Sequence, residues 1–448
     1  MELFTRLMDA GADGSAGWRG CYGRTLLGAA AYGKSEEMVL ALLKAGAKDD
    51  VNLKFGYNQG SALHVAASYG AERASNALML AGANQNVLDV YKQSPLHLAA
   101  EAGHDSVVNT LMLQGADPTS RREYGDLTAL HLAAAMGHAL CVSKLVVGGA
   151  DKNSQNRYGY SPLHVAVMEN RLGAVEELMS AGANVDVRDT AGWSPLDLAA
   201  KEGHVGVLTP FLWHGSSVKA CDANGYTALH RATRQYHDNG DMIRVLLEAG
   251  ADIEAKTTVD GSTPLHLAAS RRNAESGTIR AVLGGGANVN ARDAVDSTPL
   301  HDACGRSCAG AVELLLRSGA DETLVNHDGE TGGDLVINRQ QNGGNNNGRK
   351  AEDQRIRCML AGAPADRCWR RRGWLVLARS CPTKVQLAHE SNGGGGGGGN
   401  NGSSAKMAKA SNDGSDSGRH ETADLERLVG RVVGLDVEGV FRLVMGFL

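Results

Sequence analysis

The chain has 448 residues and a formal net charge of −5. The length allows two or three ordinary domains or one long repeat array, and the charge excludes a general attraction to nucleic acid or anionic membrane. The eight cysteines are scattered rather than dense, which excludes a small secreted disulfide scaffold. Free thiols in a reducing compartment follow, the cytoplasm with the nucleus as the alternative.

The opening, MELFTRLMDAGADG, carries acidic residues and no long apolar core, so it is not read as a secretory signal. Residues 1–19 read instead as a partial N-terminal repeat or cap, because LFTRLMDAGAD matches the second helix of the units that follow. No stretch approaches ~18–20 apolar residues, so no membrane span is expected.

From residue 20 to 330 the chain repeats itself. TLLG at 25, SALH at 61, SPLH at 94, TALH at 128 and SPLH at 161 are followed by SPLD at 194, TALH at 227, and TPLH at 263 and 298. A second mark, Gly-Ala-Asp/Asn, keeps pace at 82, 115, 149, 182, 250, 286 and 319. Ser or Thr opens each first helix as an N-cap, and proline beside it suits the first helical position. The Leu-His-x-Ala-Ala that follows is an apolar stripe with small residues for close helix approach. Gly-His, as at Gly103-His104, ends that helix, and the glycine of Gly-Ala-Asp ends the second. Asp-x-x-Gly then turns the chain into the next unit. Such a unit cannot bury its own apolar face, so stacked neighbours must build the core.

This pattern resembles the ankyrin repeat, over about nine units and roughly two-thirds of the chain. The resemblance implies an all-α solenoid with short β-hairpin loops and a non-enzymatic role in binding other proteins through hairpin tips and a concave groove. It also implies that His64, His97, His131, His164, His230, His266 and His301 are structural, hydrogen-bonding loops of neighbouring repeats. Repeat six departs: Asp197 replaces the histidine, Pro210 interrupts the second helix and Gly215-Ser216-Ser217 replaces Gly-Ala-Asp. A weak point or bend is expected there, since an interior proline costs roughly 3 kcal/mol.

Residues 331–390 read as a degenerate tenth repeat, split by an Asn/Gly insert and followed by a basic helical cap. Between Arg349 and Cys381 there are nine basic and three acidic residues. The cap reading sets Trp369 inward and the arginines outward. Arg370, Arg371 and Arg372 also support an alternative, a nuclear regulatory protein using them for import or nucleic-acid contact. The two readings are compatible. Residues 391–423 are a Gly/Asn/Ser linker expected to be disordered. Residues 424–448 form an apolar C-terminal helix by spacing.

No phosphate loop, nucleophile elbow or dinucleotide fingerprint is present, so no catalytic residue, cofactor or small-molecule substrate is expected. Cys304 and Cys308 lack a second ligand pair, so no metal site is expected either. Candidate partner contacts are residues the repeat itself does not require. They are Tyr91, Tyr124 and Tyr158 just before the turn position, and Tyr160, Trp193 and Tyr226 just after it. In the groove they are Met136, Met168 and Arg271. The expected partners are proteins, with nucleic acid disfavoured and the chain itself monomeric.

Overall fold

The computed structural model describes residues 25–234, 238–271, 276–341 and 349–363. The expected N-terminal cap over 1–19, the basic cap with Arg370, Arg371 and Arg372, the linker and the C-terminal helix lie outside these residues.

The described chain is a succession of helix pairs. The first helices are α1 (Leu26–Tyr32), α3 (Ala62–Ser68), α5 (Pro95–Ala102), α7 (Ala129–Met136), α9 (Pro162–Met168), α11 (Pro195–Glu202), α13 (Ala228–Thr233), α15 (Pro264–Ala269), α17 (Pro299–Arg306) and α19 (Gly332–Gln341). The second helices are α2 (Glu36–Lys44), α4 (Glu72–Leu80), α6 (Asp105–Leu113), α8 (Ala139–Val147), α10 (Leu172–Ser180), α12 (Leu208–Trp213), α14 (Gly240–Glu248), α16 (Ser276–Gly284), α18 (Ala309–Arg317) and α20 (349–363). Each first helix packs on the first helix of the next repeat, and the second helices through α18 do the same except at repeat six, where the turn at 205–207 rather than α12 meets α14. Among the described residues no strand forms; the expected hairpins reduce to loops, with isolated bridges at Phe55–Gly60 and Cys221–Thr227. The loops are too short and too twisted by their left-handed residues to build a ladder.

The core lies between the two helix rows. Leu63, Leu96, Leu130, Leu163, Leu229 and Leu265, one per repeat, are fully buried. They pack with Val108, Val142, Val175, Ile243 and Val312 of the second helices. Burying one such side chain stabilises the array by roughly 1.5–3 kcal/mol. The first helices end as the sequence predicts: Gly103, Gly137 and Gly203 are left-handed caps with φ between 75° and 82°. Asn170 and Ser307 take the same conformation at the equivalent position, where a side chain carries strain that asparagine tolerates best.

Each tetrapeptide histidine makes three bonds. Its Nδ1 accepts from the backbone N–H and lies 2.8–3.0 Å from the hydroxyl of its own N-cap, as in Ser94–His97 and Thr298–His301. A backbone N–H can only donate, so Nδ1 is unprotonated and the hydrogen sits on Nε2. Nε2 then donates to a carbonyl at the base of the next repeat's finger. The acceptors are Gln93 for His64, Leu127 for His97, Tyr160 for His131, Trp193 for His164, Ser262 for His230, Ser297 for His266 and Glu330 for His301, all at 3.0–3.2 Å.

A second set of ties joins the other end of each first helix. His104, His138 and His204 bond through Nε2 to the carbonyls of Ser68, Glu101 and Met168, one repeat back. Arg171, Asn239 and Cys308 do the same to Ala135, Ala200 and Arg271. These carbonyls are among those a helix end leaves without an intrahelical partner.

Repeat six keeps the helix-end ties through His204 and Ala200 but breaks the first pattern. Asp197 caps its own Ser194 but makes no onward bond to the next finger's carbonyl. The second helix starts as a 3-10 turn at Val205–Val207 and leaves six α-helical residues around buried Pro210, where its neighbours have nine. Backbone amides of residues 205–218 are therefore expected to exchange faster than those of the second helices of repeats five and seven. Equal protection in a hydrogen-exchange experiment removes the weak point.

The histidine bonds also set a pH dependence. Burial pushes His97 and His131 from 6.5 down to about 4, and lowers His64, His164, His230, His266 and His301 for the same leading reason. Below about pH 6.5 the unfolded chain binds protons that the array refuses. Stability is therefore full above that pH and lost as pH falls toward 4. His97 and His131 are each worth on the order of 3 kcal/mol across this window. Asp302, raised to about 7 by burial and then by the Asp293 charge, acts in the opposite sense. Asp197, raised by burial, does so too. Seven groups against two predict a falling urea midpoint between pH 7 and pH 4.5, falling more steeply in Asp302→Asn; a level midpoint contradicts this.

Candidate partner-binding surface

The loops between repeats project as fingers, and six of them are organised by one Asx side chain. Oδ1 of Asp89, Asn156, Asp189, Asp222, Asp293 or Asn326 accepts from two backbone amides of its own loop, as Asp89 does from Tyr91 and Gln93. Adjacent fingers are tied in turn. The amide of Glu123 donates to Tyr91 O, Thr190 to Tyr158 O, and Thr258 to Asn224 O. At Gly159 and Gly225 this approach leaves no room for a side chain, since a Cβ would stand 2.6 Å from the amide nitrogen of Thr190 or Thr258. Side chains add more ties: Arg121 reaches Gln155 O, Gln155 reaches Arg188 O, and Arg188 reaches Cys221 O.

These bonds hold the finger backbones without help from the tip side chains. Tyr124 and Tyr158 are 66% and 54% exposed, and Tyr91 is half-buried with its ring 6.0 Å from that of Tyr124. Tyr57, at 90% exposure, belongs to the same row and was not among the sequence candidates. The first finger is one residue longer than most, so Tyr57 lies four residues before its N-cap Ser61, as Tyr124 does before Thr128. Counting back from the N-cap would have found it. Val259 and Val295 continue an apolar tip row in later fingers.

The other three aromatics are not tip residues. Tyr160 and Trp193 are half-buried at finger bases and pack against the core. Tyr226 is half-buried too, its ring 5.8 Å from that of His230. Their carbonyl positions explain the difference: the residue just before an N-cap is where the preceding repeat's histidine lands. Trp193 and Tyr226 also enclose a cation. The Arg231 guanidinium lies 4.3 Å from the Trp193 ring centre and 4.6 Å from that of Tyr226, and pairs with the carboxylate of Asp222. Both charged side chains are almost completely buried. At the equivalent positions of other repeats stand Leu98, Leu132, Leu198 and Leu267. Beside this cluster Arg188 approaches Asp197 to 3.6 Å. The junction that lacks a histidine tie is thus bridged by Arg188 and Arg231.

Met136 and Met168 close α7 and α9 and are exposed on the inner face. Arg271 is half-buried, with Nη1 3.5 Å from Thr233 O. Glu101 pairs with Arg122 at 3.5 Å. On the opposite face, Leu80, Leu113, Val147 and Trp213 end α4, α6, α8 and α12 and are each more than three-quarters exposed. Residue type alone did not single them out, because a terminal Leu fits the helical stripe of a core residue. No group of three or more His, Cys, Asp or Glu among the described residues could hold a metal ion, and no described helix is long and apolar enough to cross a membrane.

Removing Arg231 leaves the Asp222 carboxylate buried without its cation. Arg231→Leu is expected to destabilise repeats six and seven by about 3–5 kcal/mol. Adding Asp222→Asn, which keeps the oxygen that the turn amides use, should restore part of the loss. A double variant no more stable than the single one in urea unfolding contradicts the role of the pair.

The comparisons agree with this architecture. The family model for ankyrin repeats (3 copies) matches residues 26–122, 96–189, 174–257 and 240–326. Among solved structures, the ankyrin repeat domain of Bcl-3, described as a unique member of the IkappaB protein family, is 30% identical. That match covers 50% of this chain and 97% of that one, with a TM-score of 0.44. The human ASB11 ankyrin repeat domain is 29% identical, covering 51% and 99%, also with a TM-score of 0.44. No curated protein matches. Ankyrin repeat domains mediate protein–protein interaction, and this chain belongs to the ankyrin repeat family.

Proposed function

We propose that the chain is a non-enzymatic adaptor, acting in the cytoplasm, that holds partner proteins against its finger tips and inner groove. The observation that carries this reading is the exposed apolar tip row of Tyr57, Tyr124 and Tyr158. Backbone bonds close these turns, Phe55 to Gly60 under Tyr57 and Arg122 to Leu127 under Tyr124, with an Asx bond from Asn156 under Tyr158, so the turns do not depend on the tyrosine side chains. Tyrosine brings large contact area and a hydroxyl at low entropic cost, which is why it recurs as an interface anchor. Tyr91, packed on Tyr124, extends the row, while Met136 and Met168 add a deformable apolar floor. Tyr160, Trp193 and Tyr226 support the groove from beneath and serve a partner only through their exposed edges. The buried Cys141 thiol, raised to about 12 by burial, is inert and supplies no nucleophile.

The test is capture of partners by the full chain and by a Tyr57/Tyr124/Tyr158 alanine variant, with Trp213→Ala as an outer-face control. Loss of an anchor is expected to weaken binding by ~30-fold or more. The tip variant should lose partners that the Trp213 variant keeps. Equal partner sets for wild type and tip variant sink the assignment.

A further inference from the structure

The groove changes character along its length. In repeats three to five the exposed last-turn residues of the first helices are Met136, Met168 and Glu169, beside the Glu101–Arg122 pair. In repeats six to eight the same turn and the residue that follows it carry Lys201, Arg234 and Arg271. These three cations and Arg231 form one continuous cluster. Lys201 Nζ is 5.7 Å from the Trp193 ring, Arg231 lies between Trp193 and Tyr226, Arg234 is 5.9 Å from Tyr226, and Arg271 touches Thr233 of the same helix row. The local carboxylates are committed, Asp222 to Arg231 and Glu202 to Lys201. Arg234 is exposed, and no carboxylate among the described residues pairs with it. A chain of net charge −5 thus concentrates positive charge on one stretch of its inner face.

We propose that this stretch, Lys201, Arg234 and Arg271 over the Trp193–Arg231–Tyr226 stack, binds an extended acidic peptide of a partner protein. The inference rests on the adaptor reading and names the chemistry of one partner segment. Charge complementarity selects an anionic ligand. Geometry selects an extended one: first helices of neighbouring repeats stand about 8–10 Å apart, and an extended peptide advances ~3.3 Å per residue. An acidic residue at every third position therefore sets one carboxylate beside Arg234 and the next toward Arg271, while Lys201 keeps its pair with Glu202. The stacked rings keep Arg231 and its neighbours in place beforehand, so little side-chain entropy is lost on binding.

The probe is a fluorescein-labelled octaglutamate peptide, followed by anisotropy with the full chain. Octaglutamine and a twelve-nucleotide oligothymidylate serve as comparison ligands. Octaglutamate should bind, weaken as salt is raised, and outcompete both comparison ligands. Arg234→Glu with Arg271→Glu should weaken it about tenfold or more, with the helical circular dichroism unchanged. Arg73→Glu, on the outer helix row, should leave it unaltered. Should the double variant unfold, Arg234→Glu alone keeps the test, because Arg234 is exposed. Absence of octaglutamate binding, or charge reversal without effect, overturns the proposal. Tighter binding of the oligothymidylate also overturns it, in favour of a nucleic-acid surface. The tip alanine variant separates the two readings: it should lose whole-protein partners while keeping octaglutamate.

Discussion

Everything in this array depends on a hydrogen that sits on one ring nitrogen. Because the N-cap amide can only donate, it holds the histidine in the tautomer whose other nitrogen points a proton at the next repeat. The same side chain thus finishes its own helix and ties two units at the base of the finger, beside their apolar contact and the helix-end and finger bonds. Hydrophobic burial is not directional and would tolerate small slips between repeats. The imidazole bond does not tolerate them, and so it sets the register in which the alanine and leucine layers interlock. Fingers, groove and tips take their places from that register.

Repeat six shows what happens when this link is absent. An aspartate can accept from the N-cap as histidine does, but its shorter side chain makes no onward bond to the next finger's carbonyl. Arg188 and Arg231 span the gap with longer side chains, and Arg231 brings charge to a position where repeats three, four, six and eight have leucine and two and five have valine. Burying that charge required the Asp222 counter-ion and two aromatic faces. Around Asp197 the inner surface over two repeats is therefore built from charged and aromatic side chains.

The sequence made the helix pairs, their caps and the histidine positions legible, because each depends on contacts within about four residues and recurs at a fixed interval. The left-handed glycines were legible on the same ground. The finger ties through Arg121, Gln155 and Arg188 were not. They join residues about 33 positions apart, and no residue type marks them. The aromatic candidates divided for a similar reason. Tyr158 and Tyr160 lie two positions apart in the chain, yet one is at a tip and the other under a histidine bond. Their sequence neighbourhood does not distinguish them; the landing point of His131, a full repeat earlier, does. Tyr57 escaped notice because Asn58, not the turn glycine, follows it.

The glycines at 159 and 225 carry a consequence beyond accommodating a close backbone. By admitting the next finger to contact distance they fix the pitch of the tip row, so its tyrosines and valines stand like graduations on a ruler. A ligand that touches several graduations must carry its own anchors at the same pitch, and a flexible ligand with the wrong interval can satisfy only one at a time. Selectivity in such a surface comes from spacing as much as from residue identity. A single inserted residue in one finger, as in the first, moves one mark along the scale and changes which intervals the whole chain can read.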